Sequence, residues 1–419
     1  IIQFYNMIKR NLSYYAAAIL FFVVTAVQPA KAANPDEGMW LANMVRQLNF
    51  EYLKQLGLEL SAEEIYNTEN ASLKDAVVQL YQGGSGFCTG ELVSPNGLMF
   101  TNHHCGYEAI VSQSTTEHNY IDDGFWARSY AEELPIPGLA IRILYDAKDI
   151  TDSIAPKVEG LDMAQRRAKI TEIQNRIIAR YAEQGYEAEV KSMYYGNQYY
   201  VYLYQVYNDV RLTGAPPSSV GNYGGDTDNW MWPRHTGDFS IFRIYADKSN
   251  NPAEYSAENV PFRPKKFLKI SLDGCKEGDF TMIMGFPGST ERYLTSFGMA
   301  EVVNESNPAQ VDVFKAVTDV MKSESDKDEA VRIQLAADYA QLMNGLKLYK
   351  TQVDGMRRMD AVGIKEAQEK EFMKWAKTQG KSTEEKYQAM FNNFENAYKN
   401  LSTVNTEFYY KIYSVVLLP

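Results

Sequence analysis

Imidazole chemistry in this chain has four candidates, His103, His104, His118 and His235, and thiol chemistry has three, Cys88, Cys105 and Cys275. Two of the histidines stand side by side against a cysteine in Thr101-Asn102-His103-His104-Cys105. From Gly84 the chain reads as a strand, a Pro95-Asn96-Gly97 turn and a second strand. That is a β-hairpin whose ends a Cys88–Cys105 disulfide could staple. The two cysteines are 17 positions apart, and in an oxidising compartment such a pair can bridge. A histidine that moves protons needs a rigid mount, because proton transfer tolerates little misplacement. An adjacent disulfide supplies one. Two blander readings compete. Both histidines could be satisfied structural side chains, or Cys88, Cys105 and one histidine could hold zinc, although the paired C-x-x-C spacing is missing. Cys275 is left over, as a buried thiol or as half of a bridge to residues outside this sequence.

A base histidine needs a carboxylate to orient it and to stabilise the imidazolium. The stretch from Gly221 to Tyr245 offers Asp226, Asp228 and Asp238. The first two sit in a Gly-rich loop, where aspartates ordinarily serve turns. Asp238 opens an alternating run (Phe239, Ile241, Phe242, Ile244) and would stand at a fixed strand end. A nucleophile is harder to find. Ser85 reads as a turn residue on the histidines' own hairpin. Ser289, in Gly285-Phe286-Pro287-Gly288-Ser289-Thr290, lies on a Gly-rich turn of the kind that can expose a hydroxyl.

The histidine segment is similar to that of chymotrypsin-fold serine peptidases, in which the catalytic histidine immediately precedes a bridged cysteine and the triad aspartate opens a strand. By that likeness His104 is the general base, His103 its neighbour and Asp238 the orienting acid. Longer stretches narrow the resemblance: Thr101 to Tyr107, Gly225 to Phe239 (reading Gly-Asp-Thr-Asp-Asn-Trp-Met-Trp-Pro-Arg-His-Thr-Gly-Asp-Phe), Gly285 to Thr290 and the opening Asp36 to Trp40. Together they resemble the bacterial dipeptidyl-peptidase 7 and dipeptidyl-peptidase 11 family, from about Asp36 into the early helical region.

The resemblance implies a chymotrypsin-like β-barrel peptidase domain over residues 33–295, with an inserted α-helical domain beginning over 296–419. The second barrel and the serine nucleophile would fall outside this chain, since the family's Gly-Asn-Ser-Gly-Ser type motif does not occur in it. It implies a serine exopeptidase that releases dipeptides from free peptide N-termini, with no metal and no cofactor, and a possible homodimer when complete. An exopeptidase must hold the substrate's α-ammonium at a dead end, which calls for carbonyl or carboxylate acceptors. Asn229 and Trp230 match the family's amine-binding pair, and Asn344 matches the helical-domain asparagine that completes it. The chain alone would then carry base and orienting acid without the residue they activate, as the N-terminal part of an enzyme. The alternative is an exported, non-catalytic peptide-binding protein that has lost its nucleophile.

The elements that must position these residues follow from pattern. Residues 36 to 72 look helical, and from Ala76 to about Phe286 short apolar runs alternate with Gly, Pro, Asn and Asp, a strand-rich texture. Within it, Met163 to Ala182 is a charged, periodic helix. From about Val302 the spacing of Leu335, Tyr339, Leu342, Leu346 and Tyr349 is helical, and Lys365 to Leu401 continues in that manner.

The 419 residues are 45% hydrophobic and 13% aromatic, enough for a buried core. A net charge of −11 argues against nucleic-acid binding. At the front, Met7, Lys9-Arg10, the apolar run Tyr14 to Val27 and Ala30-Lys31-Ala32 read as a cleaved signal peptide within residues 1–32. Cleavage there leaves a charge of −14. The expectation is an exported protein with no membrane span, and the family resemblance implies the periplasm or surface of a Gram-negative bacterium.

Overall fold

A computed structural model describes residues 40–416 apart from 46, 48–49 and 289–292. The signal peptide and Ser289 therefore lie outside the described residues. The chain divides into two units, Ile1–Phe50 and Glu51–Pro419. In the first, residues Ala42–Met44 form a turn of 3-10 helix.

The second unit is built on one antiparallel sheet. Its strands are β1 (Val77–Gln82), β2 (Ser85–Leu92), β3 (Leu98–Thr101), β4 (Phe125–Trp126), β5 (Leu134–Pro135), β6 (Ala140–Asp149), β7 (Glu187–Met193), β8 (Gln198–Tyr207), β9 (Asp209–Ala215), β10 (Ser240–Ala246) and β11 (Val260–Pro261). The alternating run that Asp238 opens becomes β10. Side chains alternate across a strand, so Val78 and Leu80 of β1 point with Ile141 and Ile143 of β6, Leu212 of β9 and Phe242 and Ile244 of β10 into a single core. Helix α1 (His103–Ser112) contributes Ile110 to the same core.

The chymotrypsin-type barrel expected from the sequence is not formed. Closing a sheet into a barrel requires its two end strands to hydrogen-bond to each other. Here the strands run in the order β4-β9-β10-β3-β2-β1-β6-β8-β7, with β5 on β9 and β11 on β10, and the ends β4 and β7 do not pair. The reason lies in β8. It is laddered to β6 on one edge and to β7 on the other, so both edges are used before Asn208 carries the chain into β9. The β9 side has no edge of β8 left to join, and the result is an open sheet in a mixed α/β fold.

Between β6 and β7 the chain forms α2 (Thr151–Val158) and α3 (Met163–Ala182), the second at the bounds its charge periodicity predicts. They bury Ile154, Val158 and Ile173 against Tyr199 of β8. After β9 comes a single turn, α4 (Ser218–Gly221).

From residue 296 onward the described chain is helical: α5 (Ser296–Glu301), a π-turn over Val302–Ser306, α6 (Asn307–Ser325), α7 (Glu329–Arg358), α8 (Ala361–Thr378) and α9 (Lys381–Val416). Asp328 caps α7 by accepting from the amides of Ala330 and Val331. The first turns of α7 are fixed to the sheet. Arg332 pairs with Asp122 at 2.6 Å, Asn119 donates to Glu329 at 3.2 Å, and Ile333 enters the sheet's core. From Ile333 the helix carries Asn344 about 16 Å onward, at about 1.5 Å per residue. No helix of the described residues is long and apolar enough to cross a membrane.

Candidate active site

Strands β3 and β10 are antiparallel, with Thr101 opposite Ser240. Just past that last pair the two chains converge, one as Asn102-His103-His104 and the other as Gly237-Asp238-Phe239. The amide of His104 donates to Asp238 Oδ1 at 3.0 Å, and His104 Nδ1 lies 2.8 Å from Asp238 Oδ2. His104 is in the first turn of α1, where backbone N–H groups lack an intrahelical acceptor. A carboxylate is favoured there by its own hydrogen bond and by the helix dipole.

Asn102, just ahead of the helix, donates its side-chain amide to Asp238 Oδ2 at 3.2 Å and to the Asp238 carbonyl at 3.3 Å. Ser240 donates its hydroxyl to the Asn102 carbonyl at 2.8 Å. Helix α1 lies directly on β10 at Gly106, where a Cβ would stand 2.4 Å from Ser240 Oγ. No larger residue permits that approach. A Cys88–Cys105 disulfide then ties β2 to the helix one residue beyond the imidazole, with the Cα atoms 6.1 Å apart.

The electrostatics suit a proton-transfer pair. Burial alone would push the Asp238 carboxyl up. The hydrogen bond and charge of His104, its backbone N–H and the charge of Arg234 outweigh burial and hold Asp238 below the usual carboxylate range. Asp238 is therefore an anion at neutral pH. The His104 side chain is 67% exposed, so with Nδ1 turned to the carboxylate its Nε2 faces an accessible surface.

Cys88, Cys105 and His104 are the one group of metal-type ligands brought together among the described residues. The disulfide consumes both thiolates, and the arrangement does not fit zinc. Cys275 is exposed and unbridged within this chain, which overturns the buried-thiol expectation. His118 stacks on Tyr120, and His235 is exposed.

A second cluster joins loop to helix. Asn229 donates its side-chain amide to Asn344 Oδ1 at 3.0 Å, and the Trp230 indole N–H donates to the Asn344 carbonyl at 3.2 Å. Trp230 holds a left-handed φ of 59°, a conformation rare for a bulky residue. Half of its surface is exposed. Arg234 donates to Asn229 Oδ1 at 3.4 Å and to Thr236 Oγ1 at 2.9 Å. Thr236 donates onward to the Tyr223 carbonyl at 2.7 Å. The residues expected to bind an amine are thus one connected group. Asp226 and Asp228 lie in the helical turn Gly225–Asp228. Burial raises the Asp226 carboxyl, opposed by Lys347 of α7.

The profile of the Peptidase S46 family matches residues 35–415. The chain belongs to that family. Among curated proteins, the S46 chain is 40% identical over 386 residues to an Asp/Glu-specific dipeptidyl-peptidase of Flavobacterium psychrophilum, covering 92% of this chain and 52% of that protein. It is 46% identical over 368 residues to a dipeptidyl-peptidase 7 of Porphyromonas endodontalis, covering 87% and 44%. Among solved structures it superposes on Porphyromonas endodontalis DPP11 in complex with the dipeptide Arg-Glu with a TM-score of 0.80 and 42% identity, over 88% of this chain and 53% of that one. The S46 chain spans about half the length of the curated relatives it matches.

Sequence reasoning missed three supports of the site: Asn102, Ser240 and Arg234. Asn102 carried a signal in its position, since Asn directly before a helix is a cap candidate. Here its side chain serves Asp238 instead of the helix amides. Ser240 and Arg234 act through tertiary neighbours and carried no local signal.

Proposed function

We propose that this chain is the part of an S46 serine dipeptidyl peptidase that supplies the general base, the orienting acid and the amine anchor. The observation that carries the reading is the double hydrogen bond from His104 to Asp238. An aspartate that holds Nδ1 fixes the tautomer in which Nε2 can accept a proton. The serine that Nε2 would activate belongs to the half of the family's length that this chain does not span. On this reading residues 33–295 belong to the peptidase domain and 296–419 to a helical domain, and the protein is exported to the periplasm or cell surface behind residues 1–32.

In the reaction His104 takes the serine proton as Oγ attacks the second peptide carbonyl. The imidazolium is stabilised by Asp238 and returns the proton to the departing amine, leaving a dipeptidyl ester. Water then attacks with His104 again as base. Asn229, Asn344 and Trp230 set the register by holding the free α-ammonium two residues from the cut. This is the reading favoured by relatives named dipeptidyl-peptidases and by a matching structure that holds a dipeptide.

The family-length protein carrying this chain should release dipeptides from peptides with a free N-terminus and lose that activity on His104→Ala or Asp238→Ala. N-acetylated peptides should resist. Equal cleavage of acetylated peptides would overturn the exopeptidase reading, and activity retained in both variants would overturn the assignment of the pair.

A further inference from the structure

His103 is the buried imidazole that the reaction does not use. Its residue is 2% exposed, and its Nε2 has no hydrogen-bond partner among the described residues. The ring's other nitrogen bonds the Pro216 carbonyl, so Nδ1 carries the proton and Nε2 is a bare lone pair. The face of the ring is covered by α4. A methyl group on Gly221 would stand 2.3 Å from the ring's Cδ2 and 2.6 Å from Nε2, so the turn rests flat on the imidazole.

The other side of α4 touches the orienting acid's strand. The Gly237 amide donates to the Val220 carbonyl at 3.0 Å, and a methyl on Gly237 would meet Val220 Cγ1 at 2.8 Å. Immediately after α4 the chain becomes the loop that ends in Asn229 and Trp230, and Thr236 bonds back to Tyr223 within it. The turn is therefore wedged between His103 on one side and Gly237-Asp238 on the other, at the root of the amine-binding loop.

We propose that His103 is a positioning residue: neutral, it seats α4 and with it the loop of Asn229 and Trp230, and on protonation it unseats them. A proton on Nε2 would create a buried N–H with no hydrogen-bond partner among the described residues, and a buried donor left unpaired is costly. The charged or titratable groups that face the ring are Asp238, which favours the proton, His104, which opposes it, and Tyr107, whose ring is 5.5 Å away. Helix α4 brings no ionisable side chain. Burial is the largest influence and holds the His103 imidazole below the ordinary histidine range. The inference rests on the dipeptidyl-peptidase reading only for what the loop does; the coupling itself is a property of this chain.

The test is an NMR titration of the isotope-labelled chain between about pH 7.5 and 5, following the amides of Gly221 and Gly237, the Trp230 indole N–H and the ring nitrogens of His103. The three N–H signals should shift together, with a midpoint below about 6.5 that coincides with proton uptake at His103. His103→Asn, which can still donate to Pro216 but cannot titrate, should abolish the transition. His104→Asn should keep it. A transition that survives His103→Asn, or N–H signals that stay flat, would overturn the proposal. Should His103→Asn fail to fold, a mismatch between the His103 ring midpoint and the amide midpoint in the unsubstituted chain does the same. Failure of the dipeptidyl-peptidase reading is a separate result: the transition would be present while the family-length protein released no dipeptides.

Discussion

Trp230 donates its indole N–H to the main-chain carbonyl of Asn344, 114 residues further along, while the Asn344 side chain accepts from Asn229. One helical residue is thus read twice by one loop, through its backbone and through its amide. The two bonds respond differently to substitution, because only the second depends on the side chain.

Asn344→Ala should keep the Trp230 bond and lose the Asn229 bond. An exposed neutral hydrogen bond is worth about 1 kcal/mol, so the fold should hold and the melting curve should barely move. Peptides with a free N-terminus should bind about tenfold more weakly, while the weak binding of acetylated peptides stays the same. Calorimetric titration with matched free and acetylated peptides measures both. An unchanged ratio would remove Asn344 from the anchor.

Asp238 links stability to pH with a definite sign. Its carboxyl sits below the ordinary value of 3.8 in the fold, so the unfolded chain binds the proton first. The ion's contribution is fully present above pH 3.8 and is lost as pH falls through the folded-state value. The unsubstituted chain should therefore exceed Asp238→Asn in melting temperature near neutrality, and the gap should close in acid. A constant gap across that range would show that the Asp238 charge contributes nothing.

Much of the site was legible because its chemistry is local in sequence. His104 and Cys105 are adjacent, and Asp238 opens a strand whose alternation marks it. Their meeting was expected from the resemblance alone and not from their spacing. It depends on the register that sets Thr101 opposite Ser240, and a slip of one residue would have separated them. The fold shows the same division. Strand runs and the bounds of α3 followed from periodicity, whereas sheet closure depended on which strands claim the edges of β8, a choice made by long-range pairing. Asn102 was hidden for another reason: its residue type predicts a helix cap, and its side chain is drawn to a carboxylate 136 positions away.

The Cys88–Cys105 bridge closes a loop of 17 residues by sequence separation. Chain-entropy arguments give about 3 kcal/mol for such a loop. Reduction should lower the denaturation midpoint of the unsubstituted chain and leave a Cys88→Ala, Cys105→Ala chain unaffected. The imidazole of His104 should also become more mobile on reduction, since α1 loses its tie to β2. Equal midpoints with and without reductant would show that the sheet alone holds the hairpin.

A second, buried charge pair holds β10 further along, where Glu133 meets Arg243 and Tyr245. Its side chain is 2% exposed, accepts from Arg243 Nε at 2.8 Å and from the Tyr245 hydroxyl at 2.7 Å, and leaves no charge unpaired. Arg243 also donates to the Asn96 carbonyl at 2.7 Å. Burial, followed by the bond to Glu133, raises the Tyr245 phenol and keeps it protonated. Removing one partner of a buried pair costs about 3–5 kcal/mol, because the other charge is stranded. Glu133→Ala should lose that much and Tyr245→Phe about 1.5–3 kcal/mol, as one hydrogen bond to a charged group. The double change Glu133→Leu, Arg243→Met should recover most of the loss, since a buried ion pair is often matched by apolar residues of similar volume. Urea unfolding of the four chains measures these losses, and His104 ring spectra of the double variant should match the original, because Asp238 is held from the opposite end of β10. A double variant no more stable than Glu133→Ala would mean that the network holds the strand by shape and not by paired charge.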